Sequence, residues 1–248
     1  MEETQKAGSF LPDKAKILSG SCLKVIAVVT MFIDHIAFVF LLCYPPAIKQ
    51  DINIFGSDHS VYELLRDVGR IAFPIFCFLL IEGFEHTHDR KKYGVNLFVF
   101  ALISELPWNL VHTGTIFCGT QNVFFTLFLG YIGMCIIEKY KNEQAYLAVY
   151  LITMLVISII FQADYGASGF GFIIMMYVTR KKPVIQAITG SCFLSSTWIA
   201  GLAFIPINLY NGKRGFIKSK AAKYIFYAVY PVHMLILFLI KYISNGYS

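Results

Sequence analysis

Apolar residues run along this chain in long blocks, with the polar residues bunched between them. The blocks cover about 18–43, 69–85, 93–111, 123–138, 145–163, 168–179 and 224–243. They do not alternate as half-buried strands would, and their lengths predict membrane helices. The stretch 183–210 is broken at "GSCFLSST", which predicts two short segments of re-entrant type. Non-helical backbone at membrane depth is tolerated where protein buries it. The pattern predicts an all-α, polytopic membrane helical bundle with about eight or nine transmembrane segments. Residues 1–17 form an N-terminal segment and 18–245 a single transmembrane domain; no internal repeat or low-complexity stretch divides them.

Composition and charge sharpen this picture. Hydrophobic residues make up 57% and charged residues 15% of the chain, with a mean hydropathy of +0.63. A soluble domain carries roughly 25% charged residues. Glu2 and Glu3 lead a polar stretch and no small-x-small cleavage site follows the first apolar block, so that block is expected to remain in the mature protein. Lys and Arg alternate between connections. Lys6, Lys14 and Lys16, then "DRKKY", "EKYKNE" and "RKKP", are basic, whereas "CGTQN" and "QADYGAS" carry no basic residue. The positive-inside rule then puts the N-terminus in the cytosol of a cell (plasma or inner) membrane. The basic stretch "NGKRGFIKSKAAK" also stays inside, provided 183–210 is two segments rather than one. The net charge of +6 is therefore a topology signal and calls for no nucleic acid. Cys22, Cys43, Cys77, Cys118, Cys135 and Cys192 are scattered without a CxxC pair, which argues against both a disulfide framework and a metal site.

Several polar residues interrupt this apolar frame at one depth, counted from the outer side. Asp34 and His35 lie in the outer half of the first helix, and Arg70 opens the second. Glu105 closes the third, Asn122 opens the fourth, Asp164 sits in an outer loop and His233 lies inside the last helix. A charge in hydrocarbon costs roughly 2.5–3.5 kcal/mol on insertion scales, so such groups face a bundle interior and find partners. They are expected to line a polar cavity open to the outer side, with His35 as a general base near neutral pH. Adjacent helical residues point about 100° apart, so Asp34 should pair with Arg70 and leave the His35 ring to Glu105 or Asp164. Each residue also has a plain structural reading: an Asp34–Arg70 pair that fixes packing, Glu105 capping beside Trp108 and Asn109, and His233 as an interior histidine. On the cytosolic side, Glu82 and His86 share a helix face and read as a solvated helix end. The loop "LYNGKRGF" differs, because Asn211-Gly212 and Gly215 shape a turn around Lys213 and Arg214, two phosphate-binding charges.

The stretches "LKVIAVVTMFIDHIAFVF", "GRIAFPIFCFLLIEGFEHTHDRKKYGVNLFVFALISELPWNL", "QNVFFTLFLG", "ADYGASG", "LYNGKRG" and "KYIFYAVYPVHMLIL", in this order from about residue 20 to 240, resemble the TraX family of multi-pass membrane proteins. That family takes its name from a protein that N-acetylates a pilin subunit and is similar to integral-membrane acyltransferases. The resemblance implies an acetyl-CoA-dependent acetyltransferase with the membrane bilayer as its surroundings. A histidine central to the wider group maps onto His35. Asn211, Gly212, Lys213 and Arg214 would hold the cofactor phosphates, and Asn122, Arg70 or His233 would stabilise the oxyanion. The acceptor would be an exported peptide amine or a cell-surface glycan hydroxyl. An alternative is a proton-coupled transporter or flippase using Asp34, His35 and Arg70, since broken helices and intramembrane charges also suit transport. A membrane scaffold is a third class, and it would need no convergence of polar groups.

Overall fold

The protein is described here from a computed structural model covering residues 11–41, 51–54, 57–217 and 219–246. Lys6, Cys43, Lys49 and Lys218 lie outside the described residues. Helix α1 (Gly20–Ile36) starts at Ser19, whose hydroxyl accepts from the Cys22 amide at 3.3 Å, and its last turn widens over Ala37–Leu41. A two-stranded antiparallel ribbon follows, β1 (Asp51–Ile54) against β2 (Ser57–Ser60), the one β element among the described residues. Then come α2 (Val61–Gly69), α3 (Ala72–His86), α4 (Arg90–Thr113), α5 (Val123–Tyr140), α6 (Gln144–Ile160) and α7 (Gly166–Thr179). The stretch expected to be broken is α8 (Pro183–Phe193), a 3₁₀ segment (Ser195–Ala203) and the short α9 (Phe204–Asn208); α10 (Lys220–Gly246) closes the chain.

Among the described residues, four segments are long and apolar enough to cross a membrane: Gly20–Val39, Arg90–Thr113, Val123–Tyr140 and Tyr224–Ser244. Their outward faces carry exposed Val, Leu, Ile and Phe, as at Val29, Ile103 and Ile236, which a lipid-facing helix requires and a soluble one avoids. The chain is a helical, multi-pass membrane protein. Helix α4 packs along α10 and α5, α1 against α2 and α3, and α5 against α6 and α7. The aromatic core between them includes Phe84, Tyr131, Phe172 and Tyr177.

The helices bring the basic connections to one end. Arg180, after α7, reaches Glu85 of α3 at 3.2 Å and Glu138 of α5 at 3.6 Å, and the Tyr177 hydroxyl donates to Glu138. Tyr131 donates to the Arg90 carbonyl. At this basic end the loop 209–217 is sewn to the start of α1 by main chain. Gly20 donates to the Lys213 carbonyl at 2.8 Å, Ser21 to that of Arg214 at 3.0 Å, and the Asn211 amide to that of Leu18 at 2.9 Å. Gly212 and Gly215, at φ of 73° and 84°, supply the left-handed turns that bend the loop back. The opposite end carries the start of α2, the α4–α5 connection and the loop 161–165. That loop is tied to the start of α5 by the Gln121 amide, which donates to the Gln162 carbonyl at 3.0 Å.

Candidate active site

At the end opposite the basic loops lies a recess of about 300 Å³, walled by α1, α2, α3 and the loop before α7. Asp34, His35, Arg66, Arg70, His112 and Asp164 give it its polar lining. Asp34 pairs with Arg66 (Nη1 to Oδ2, 2.8 Å) rather than with Arg70, which caps the end of α2 and lines the recess as an exposed side chain. The two helices approach closely because residue 69 is glycine, where a β-carbon would collide with the Asp34 side chain. The second oxygen, Asp34 Oδ1, is enclosed with no hydrogen-bond partner among the described residues. An unmet buried acceptor costs about 1–3 kcal/mol.

His35 finds its partner on the last helix. Its Nδ1 lies 2.6 Å from His233 Nε2, with the two rings stacked at 4.9 Å. His233 Nδ1 lies 2.8 Å from the Val229 carbonyl. A carbonyl only accepts, so His233 Nδ1 carries the proton and its Nε2 must accept from His35 Nδ1–H. That chain fixes the His35 tautomer and leaves a lone pair on His35 Nε2, 4.0 Å from Asp34 Oδ2. His112 repeats the device nearby: its Nδ1 donates to the Trp108 carbonyl at 2.9 Å, and its Nε2 stays open. Glu105 and Asp164, expected to orient His35, do not touch it.

Asp164 faces the recess. Its side chain keeps accessible surface because the recess is open, yet protein hems it in on the remaining sides. That confinement, and then the Asp34 carboxylate, push its carboxyl up to about 7, against the pull of Arg66 and Arg70. Glu105 and Asn122 stand apart. Asn122 is fully buried and caps α5, its Oδ1 accepting from the Phe124 amide at 3.0 Å. Its Nδ2 donates to the Ala101 carbonyl at 2.9 Å and to Glu105 at 2.6 Å. All its polar atoms are committed, so it holds the fold and leaves nothing for an oxyanion; His233, spent on orienting His35, is placed likewise.

A second cavity, of about 450 Å³, opens at the basic end. Gly212, Arg214 and Lys24 line its mouth beside Glu82 and His86, and apolar side chains such as Leu79, Leu97 and Leu127 line its depth. The Glu82–His86 turn expected to be a solvated helix end is thus part of a cavity wall. The two cavities lie back to back, and Met31, Phe76, Val123 and Tyr230 line both.

The model of the family described as TraX protein matches residues 19–241. This chain belongs to the TraX family. It is also 30% identical to a probable fimbrial assembly protein, FimC of serogroup H1, from Dichelobacter nodosus, across 87% of this chain and 92% of that protein. No solved structure matches. The TraX-family match spans both cavities and every element that walls them.

Two recess residues escaped the sequence reading. Arg66 lies between the first two apolar blocks, in the connection rather than in a membrane segment. Yet Ser60 and Glu63 form a reciprocal capping box, and S-x-x-E before an apolar turn is a sequence signal for a helix start. His112 has no such signal, since only the fold turns its ring to the recess. Among the described residues no three His, Cys, Asp or Glu side chains gather as a metal site, and Cys22, Cys77, Cys118, Cys135 and Cys192 are free thiols.

Proposed function

We propose that this TraX-family chain is a membrane acetyltransferase. It takes acetyl from acetyl-CoA bound at the basic end and passes it through the septum to an acceptor in the recess. The observation that carries this reading is the back-to-back arrangement of the cavities, with His35 Nε2 open on the recess side. By the positive-inside rule the basic end faces the cytosol, where acetyl-CoA is made, and the recess faces outward, where an exported acceptor waits. Arg214 and Lys24 at the mouth, with the exposed Lys213 next to Arg214 in the same loop, suit the phosphates of CoA. A cavity of about 450 Å³ is of ligand-binding size, and its apolar depth suits the pantetheine arm. His35 takes the proton of the attacking group, and the charge that develops is shared through Nδ1–H with His233. The family and the fimbrial relative favour a pilin-like peptide amine as acceptor over a glycan hydroxyl.

The test is transfer of labelled acetyl from acetyl-CoA to cell-envelope material by membranes containing the chain, with mass spectrometry to find the acetylated product. His35→Ala should lower the rate about 10²–10⁴-fold, the usual contribution of a general base, while insertion and expression persist. A His35→Ala protein that transfers at the wild-type rate overturns the assignment. A chain that neither binds nor consumes acetyl-CoA overturns the reading as a whole and returns the site to the transport alternative.

A further inference from the structure

We infer that Tyr230 and the Val123 amide form a carbonyl-binding site at the septum, built for the thioester carbonyl of the acyl donor. The inference rests on the acyl-transfer reading. Tyr230 is 5% exposed and its side chain lines both cavities. Its hydroxyl is enclosed and has no hydrogen-bond partner among the described residues. The Val123 amide is the first N–H of the 18-residue α5, and Val123 lines both cavities beside Tyr230. The free amides at a helix N-terminus favour negative charge. Two hydrogen-bond donors thus converge where the cavities meet, beside the imidazole that takes the proton.

The environment holds Tyr230 in place for this. Its ring meets His35 edge-on at 6.0 Å, His233 at 5.6 Å and Phe124 at 5.4 Å. Those contacts fix the ring without using the hydroxyl. The other side chains of the septum, Met31 and Phe76, are apolar, and Met31 is unbranched and adaptable enough to part as the donor arrives. Asn122 and His233, once candidates for this role, have no polar atom to spare.

In the step itself the acceptor's nitrogen or oxygen attacks the thioester carbon and gives its proton to His35 Nε2. The C=O electron pair moves onto oxygen, where the Tyr230 O–H and Val123 N–H bind the negative charge. The C=O bond then re-forms, the C–S bond breaks with its electron pair on sulfur, and the His35 imidazolium returns the proton to the CoA thiolate.

The experiment uses the full chain in lipid nanodiscs. Tyr230→Phe keeps the ring and removes the hydroxyl. We expect kcat for acetyl transfer to fall about 10²–10³-fold, the loss typical of one oxyanion donor, with the KM for acetyl-CoA and the melting temperature unchanged. A tyrosine that merely packs the septum would instead leave kcat intact or shift the melting temperature. Binding of CoA and of acetyl-CoA, followed by thermal shift on both proteins, supplies the control. If CoA binds and wild type turns over but Tyr230→Phe keeps its kcat, the carbonyl site is overturned and the acyl-transfer reading stands. If neither CoA nor acetyl-CoA binds the wild type, both are overturned.

Discussion

The loop 209–217 at one end of this molecule and the recess at the other are assembled differently. At the basic end the loop 209–217 is held to the start of α1 by main-chain hydrogen bonds and by the Ser21 hydroxyl, so the Lys213 and Arg214 side chains are exposed and uncommitted to the fold. At the recess end charged and polar side chains themselves hold the helices. Asp34 ties α1 to α2 through Arg66, and Asn122 ties the start of α5 to α4 through Glu105 and the Ala101 carbonyl. A polar residue can serve ligand or fold, and which one depends on what else is available to hold the backbone. In a membrane this choice is sharpened, because an uncommitted polar group inside the bundle has no water to fall back on.

Substitutions can sharpen or break this contrast. The largest effect is expected for Asn122→Ala, which removes a helix cap and strands the Glu105 carboxylate. Thermal unfolding should register about 2.5–4 kcal/mol of lost stability, a cap of about 1 kcal/mol plus a charge-assisted bond of about 1.5–3 kcal/mol. An unchanged melting temperature would show that Asn122 is free for other work. Next comes the Lys213→Ala, Arg214→Ala double variant. The KM for acetyl-CoA should rise about tenfold, equivalent to roughly 1.4 kcal/mol, with kcat and melting temperature unchanged because main chain keeps the loop in place. A fall in melting temperature would mean that these side chains hold the fold after all.

The smallest effect concerns Asp164. Its folded-state value of about 7 lies above the ordinary 3.8, so between these two pH values the folded protein binds more protons than the unfolded chain. Stability should therefore fall as pH rises through that window and level off above it. Asp164→Asn should flatten the slope in melting temperature against pH. A wild-type slope of the opposite sign would mean that the carboxylate, not the acid, is what the recess favours.

Much of the fold was legible in the chain. The apolar blocks fall on helices α1, α3 to α7 and α10, and the break at "GSCFLSST" falls where α8 gives way to the 3₁₀ segment, because block length and helix interruption are local properties. The site was legible only as a set of residues. Arg70 looked like the partner of Asp34 because it opens an apolar block, but α2 ends at Gly69, and Arg66, one turn earlier on that helix, takes the carboxylate. Glu105 and Asn122 were rightly placed near one another in depth, but their mutual bonds could not be read from depth alone.

What the sequence by itself determined is what a single helix knows: where it starts, how long it is, and which end its charges favour. Helix length and hydrophobicity depend on neighbours in the chain, and the bilayer reads them one segment at a time. What only the tertiary structure decided is which side chains meet. His35 and His233 are 198 residues apart and touch because α1 and α10 are rotated to face each other. Tyr230 stands between two cavities for the same reason. Rotation about a helix axis is set by packing against other helices, and small residues such as Gly69 set how close that packing can be.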